Sequence, residues 1–204
     1  MRLLVLAFAL LCASVFSLSG ALAGPVRKAA KPCGVYRWPV KTLTDADARR
    51  IDWTPVRTTI RHLESLPRPA KSPTNRRTRY ELHVYRVKAR LVGVRHTLLD
   101  HDYHLLLVDP TDPGARMIAE IPAPECAKGS GHRAAFAAAR RRADAIYARI
   151  RHPWVSVTGV GFFDSLFHAH GHYHARNGFE LHPVLSIRAL RTGHRRHGAA
   201  FAKP

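Results

Sequence analysis

Two short runs carry carboxylate and imidazole at alternate positions: Asp100-His101-Asp102-Tyr103-His104 and Glu180-Leu181-His182. On an extended strand, side chains two apart share a face, so Asp100, Asp102 and His104 would point one way, and Glu180 and His182 would do the same on another strand. Carboxylate and imidazole together suit a divalent metal such as zinc or manganese, or general acid and base chemistry. Asp102, His104, Glu180 and His182 are therefore the catalytic candidates, and the same four are the candidate metal ligands. If their strands meet in a small barrel, Glu81, Glu120 and Asp164 become neighbours, and with Asn177 they make the candidate ligand-binding set. The structural alternative has Asp102 capping the turn into its strand, and Glu180 and His182 bonding nearby backbone at a strand start disrupted by Pro183.

Between the two runs lie His168, His170, His172 and His174, set among Ala, Gly and Arg with no apolar period to anchor them. They read as a loop with adventitious metal affinity. Gly159-Val160-Gly161 lacks the third glycine and following helix of a dinucleotide loop, so it reads as a strand kink. There is no G-x-S-x-G, no H-E-x-x-H, no P-loop and no C-x-x-C. The common serine hydrolase, zinc protease, nucleoside-triphosphatase and thiol-redox routes are thus unsupported.

The elements that would position the candidates begin at residue 80. Residues 80–97 are long and β-rich with Gly93 interrupting them, 103–108 form a second strand pattern and 116–121 a third. Asp109-Pro110-Thr111-Asp112-Pro113-Gly114 is a turn. Residues 131–150, capped by Ser130 and ended by Pro153, set Phe136, Ala139, Ala143, Ile146, Tyr147 and Ile150 on one helical face. Strands over 154–163 and 179–190 follow, so the order is β-β-β-α-β-β. Before them, short helices are expected from Thr44 and from Thr54-Pro55, the latter carrying Val56, Ile60, Leu63 and Leu66, and then a proline-rich basic linker over 68–78.

That order, with a long glycine-kinked first strand and a helix between the third and fourth, resembles the OB-fold over residues 80–190. The resemblance implies a mainly β (α+β) chain with a small five-stranded OB-like barrel, a helix across one end, and ligand binding on the second and third strands. Tyr85 and Tyr103 are then candidates for stacking on a ligand. Four segments, residues 100–105, 117–122, 157–164 and 177–184, also resemble a family of exported bacterial proteins, a resemblance that carries no activity with it.

Composition sets the rest. Arg2, the apolar run over 3–16 and Ala21-Leu22-Ala23 have the three parts of a secretory signal, too short to be a good membrane span. The expected organisation is a signal at 1–23, an N-terminal extension at 24–79, the barrel at 80–190 and a basic disordered tail at 191–204. Export, to periplasm or medium, favours oxidation of Cys33 and Cys126, the two cysteines left after processing. Thirty-three Lys and Arg against 14 Asp and Glu give a formal charge of +19. Such a surplus suits a polyanionic partner, nucleic acid or anionic glycan. The reading that results is an exported OB-like binding protein for an anionic polymer. The enzyme alternative is a divalent-metal-dependent hydrolase of phosphodiester type, nuclease-like in its chemistry.

Overall fold

The computed structural model describes residues 33–34, 36–70, 75–76, 78–165 and 173–191. The expected signal, His168, His170, His172, and the tail beyond residue 191 lie outside the described residues. Six strands form one sheet: β1 Asp52–Thr58, β2 His83–His96, β3 Tyr103–Val108, β4 Arg116–Ile121, β5 Trp154–Phe163 and β6 Phe179–Ala189. The order β2-β3-β4-β6-β5 returns to β2 through a β2–β5 pairing, so five strands close a small OB-like barrel. β2 serves two neighbours because it is long. Its residues 84–90 pair with β5 and 90–96 with β3, the register shifting between Leu91 and Gly93.

Helix α3, Arg133–Arg149, lies between β4 and β5 in the chain and packs on β6, β2 and β4. Its Phe136, Ala139 and Ala143 enter the core, whereas Tyr147 and Ile150 stay exposed, so the buried stripe is narrower than the periodicity suggested. Arg140 anchors the helix to the barrel by donating to the carbonyls of Pro122, Ile121 and His101. Ser130 does not cap α3 directly; its hydroxyl accepts from the His132 amide, and His132 is the first residue outside the helix.

Residues 36–66 differ most from expectation. Helix α1 is Trp38–Thr42, and the second expected helix divides. Residues 52–58 form β1, paired in parallel with β2, and only Ile60–Glu64 are helical, as α2, with Thr59 accepting from the His62 amide as its cap. Trp53, Thr54, Pro55 and Val56 are poor interior helix residues, and the edge of β2 pairs instead with Asp52 and with Val56 to Thr58, the register shifting between them.

Strand alternation produces two layers. Leu105, Leu107, Met117, Ala119, Ile121, Phe163, Phe179 and Leu181 point into the barrel core. The alternate residues of the same strands point out, and most are nonetheless buried: Leu106, Ile118, Glu120, Phe162, Glu180 and His182. What covers this outer wall is the N-terminal segment. Arg37 and Lys41, flanking and within α1, sit 4.6 and 5.5 Å from the Phe162 ring centroid, and the Trp38 indole donates to the Cys126 carbonyl at 3.0 Å. A Cys33–Cys126 disulfide ties the start of that segment to the loop after β4.

Candidate functional site

The covered wall is built around a row of titratable side chains. His104 on β3 and Glu120 on β4 are direct cross-strand partners, with His104 Nε2 3.0 Å from Glu120 Oε1. The other Glu120 oxygen lies 2.8 Å from His182 Nδ1, and His182 Nε2 lies 3.3 Å from Asp102 Oδ2. The row is His104, Glu120, His182, Asp102, running from the surface into the protein. Lys41 closes on it from α1, its ammonium 3.6 Å from Glu120 Oε2.

Asp102 is held rigidly. Its Oδ1 accepts from the Ala123 amide at 3.2 Å and its carbonyl accepts from the Thr97 amide and hydroxyl. Asp100 shapes the same turn by accepting from the Asp102 amide and the Thr97 hydroxyl. This turn corrects the expectation that Asp100, Asp102 and His104 share one strand face. β3 begins only at Tyr103, His101 has positive φ, and the carboxylates point to different places. Asp100 lines the pocket with His104, while Asp102 is buried behind it.

Burial and neighbouring charge set the protonation states. Burial and Lys41 push the His182 pKa down, but Glu120 and Asp102 outweigh them and hold it above the usual imidazole range. Glu120 is driven up by burial and yet sits well below the ordinary carboxylate range, because Lys41, His182 and His104 surround it. Burial, with repulsion from Glu120 and Asp164, lifts Glu180 well above that range, and burial lifts Asp102. Two carboxyls are thereby biased toward the neutral form beside one that stays ionised.

Above this row opens a pocket of about 590 Å³ lined by Tyr36, Trp38, Lys41 and the disulfide loop on one side, Thr97, Leu99 and Asp100 on another, and His104, Glu120, Asp164 and His174. Five of the 14 acidic residues, Asp100, Asp102, Glu120, Asp164 and Glu180, thus gather at one place in a chain of net charge +19. Several of their atoms sit close to charge partners without an aligned hydrogen bond. Among the described residues these are Asp102 Oδ2, Glu120 Oε2, His104 Nε2 and both His182 ring nitrogens, and the two Glu180 oxygens have no donor. Buried polar atoms without an aligned partner are rare in folded proteins.

Two sets of three ligand atoms fall within 4.8 Å of one another: Asp100, His104, Glu120, and Asp102, Glu120, His182. The first set lines the pocket; the second is fully buried behind it. Of the sequence candidates, Asp102, His104 and His182 therefore meet, and Glu120, placed in the ligand-binding set, is their hub. Glu180 projects from the same wall but belongs to neither set; its Oε1 is 3.8 Å from His174 Nδ1. His174, grouped by sequence with the histidine run, thus lines the pocket. Asp164 lines the pocket too.

Glu81 and Asn177 have other partners. Glu81 forms a bidentate ion pair with Arg37 at 2.8 and 3.0 Å and accepts from the Phe163 amide, fixing α1 against β5. The Asn177 amide donates to the Leu63 and Leu66 carbonyls and accepts from the Phe179 amide. Tyr85 offers no stacking face, since it is buried edge-on against Phe179 in the core. Tyr103 is engaged with His96, stacked at 3.8 Å, and with the Arg140 guanidinium at 4.2 Å. Sequence reasoning missed Lys41, Trp38 and Tyr36, which belong to a segment with no strand or helix signal that pointed at the barrel wall.

No family model matches the chain, and no curated protein matches it either. The expected kinship with an exported family gains no support from these comparisons.

Proposed function

We propose that the protein is an exported, divalent-metal-dependent hydrolase of phosphodiester type, working in the pocket under the disulfide loop. The observation that carries this reading is the convergence of one ligand atom each from Asp100, His104 and Glu120 within 4.8 Å on the pocket wall. Oxygen, nitrogen and oxygen from two carboxylates and an imidazole suit zinc or manganese. An ion there would polarise a phosphoryl oxygen and lower the pKa of a bound water.

The surrounding residues have roles of their own. His182 and Asp102 lie behind Glu120 and hold its carboxylate in one orientation, the outer support that ligating carboxylates need. Lys41 brings a positive charge to the pocket for a phosphate oxygen. His174 faces the same pocket and is the imidazole able to exchange a proton with a substrate, whereas His182, wholly buried, is not. Export rests on the signal-like pattern of residues 1–23 and on a disulfide suited to an oxidising compartment. No helix among the described residues is long and apolar enough to cross a membrane.

Binding of an anionic polymer without chemistry is the second reading, favoured by the +19 charge. Titration calorimetry with Mn²⁺ separates the two when run beside hydrolysis of bis(p-nitrophenyl) phosphate. One saturable site, weakened at least about tenfold in His104→Ala and Glu120→Gln together with loss of Mn²⁺-dependent hydrolysis, is the expected result. Equal affinity in wild type and both variants removes the metal centre. Metal binding with no hydrolysis leaves the binding reading.

A further inference from the structure

On the barrel wall formed by β2, β5 and β6, which β1 extends at one edge, the inward residues Val87, Ala89, Val155, Val157 and Ile187 are fully buried. The residues alternating with them on β2 and β6 are Arg86, Lys88, Arg90 and Arg188. Pairing sets these side by side across the sheet: Arg57 on β1 against Arg86, Arg86 against Thr158, Lys88 against Ser156, Ser156 against Arg188, and Arg90 against Trp154. Arg57, Lys88, Arg90 and Arg188 are exposed and Arg86 is half-buried. Five cations therefore share one outward face: Arg57 and Arg86 are direct partners about 4.8 Å apart, Arg86, Lys88 and Arg90 follow at about 6.7 Å along β2, and Arg188 stands two strands, about 9.6 Å, from Lys88. None of the outward positions 57, 86, 88, 90, 154, 156, 158, 186 and 188 carries a carboxylate.

Like charges this close repel one another, and cross-strand like pairs weaken a sheet. Such an arrangement is favourable when an anion lies on it. We infer that this face docks single-stranded nucleic acid. Three features select that partner. Four of the five cations are arginine, whose planar fork pairs with phosphate in a bidentate way. The exposed Ser186 hydroxyl lies beside the cations, and Arg86 Nε donates to the buried Thr158 Oγ1 at 3.1 Å, which holds its guanidinium across the strands. Trp154, partly exposed, sits at the end of the row with the Arg90 guanidinium 5.7 Å from its ring, an aromatic platform beside a phosphate-binding group.

This surface is distinct from the pocket, which is carried by β3, β4 and β6 under the N-terminal segment. It also differs from the second-and-third-strand face on which OB-folds bind. The inference does not depend on the hydrolase reading: binding at this face would hold in a protein with no catalysis.

The test is fluorescence anisotropy of a labelled deoxythymidine oligomer of about 12 nucleotides with the full-length protein, over a range of salt. The triple variant Lys88→Glu/Arg90→Glu/Arg188→Glu is compared with Arg141→Glu/Arg142→Glu/Arg149→Glu, which reverses three exposed arginines on α3. Circular dichroism checks folding, and the single variants Arg90→Glu and Arg188→Glu replace the triple if it does not fold. The face variant is expected to bind at least about tenfold more weakly, with a salt slope shallower by about 2, while the α3 variant changes less than about threefold. Trp154→Ala is expected to weaken binding about fivefold or more. Equal losses in both triples reduce the effect to net charge and overturn the proposal. So does an unchanged face variant, or one that loses affinity for a heparin fragment or phosphatidylglycerol vesicles but not for the oligonucleotide.

Discussion

His182 stands between Asp102 and Glu120, 3.3 Å from one and 2.8 Å from the other, and is wholly buried. The imidazole, its pKa held above the usual range by Glu120 and Asp102, ties the loop before β3 and the end of β4 to β6. Replacing it with alanine takes the partner from two buried acids, and breaking a buried pair in this way costs about 3–5 kcal/mol. Urea unfolding of His182→Ala should show that loss. A change below about 1 kcal/mol would mean the row is solvated and does not act as a unit.

The Cys33–Cys126 bridge closes a separation of 93 residues and pins the N-terminal segment over the pocket. Cys33→Ser/Cys126→Ser should lower stability by about 4 kcal/mol through the freer unfolded chain. It should also expose the outer wall, read as faster hydrogen exchange in residues 36–44 and at the β4 amides. Protection of both regions unchanged by the double substitution would contradict the covering role given to this segment.

Asp109 supplies a pH dependence remote from the pocket. Burial pushes its pKa up, but the Thr111 amide and hydroxyl and the Arg61 amide donate to it and hold it below the ordinary carboxylate range. The native state therefore keeps this group ionised where the unfolded chain has begun to bind a proton. Its contribution is complete above the unfolded carboxylate pKa of about 4 and fades as pH falls through the lower folded value. Asp109→Asn should cost about 2 kcal/mol at neutral pH and flatten the acid limb of the stability curve. A parallel acid limb in the variant would place the pH dependence elsewhere.

Gly161 tests the fit of β5 beneath the residue 79–82 turn. A β-carbon there would collide with the Tyr80 carbonyl oxygen and come within 2.8 Å of the Phe179 and Tyr85 rings. Gly161→Ala should destabilise by about 2 kcal/mol or more. Gly131, with nothing within 4 Å of an added carbon, should accept alanine with a change of less than about 1 kcal/mol. Thermal melts of the two variants check both.

The barrel was legible because β2 alternates, the other strands are apolar runs, and the helix has a clear stripe. Alternation around Arg86 to Leu91 marked β2, and the Phe136, Ala139, Ala143 spacing marked α3. The separation into Asp102, His104 and His182 was visible as spacing, but Glu120 as hub was not, because one acid in an otherwise apolar strand gives no sign of its cross-strand partner. Register decided it: His104 faces Glu120 only because Tyr103 pairs with Ile121. β1 escaped notice since it is held by pairing with the edge of β2 and its own sequence has no alternation. Lys41 and Trp38 reach the site through a disulfide and an ion pair, Arg37 with Glu81, that span long stretches of chain. Tertiary contacts of that kind leave no local pattern.

The most direct measurement of the central claim is an anomalous difference map from crystals of the protein grown with Mn²⁺. The account predicts one strong peak in the pocket, bonded to Asp100, His104 and Glu120, and absent from His104→Ala crystals. A map with no peak there, or with manganese held only by the histidine run from residue 168 to residue 174, would contradict it.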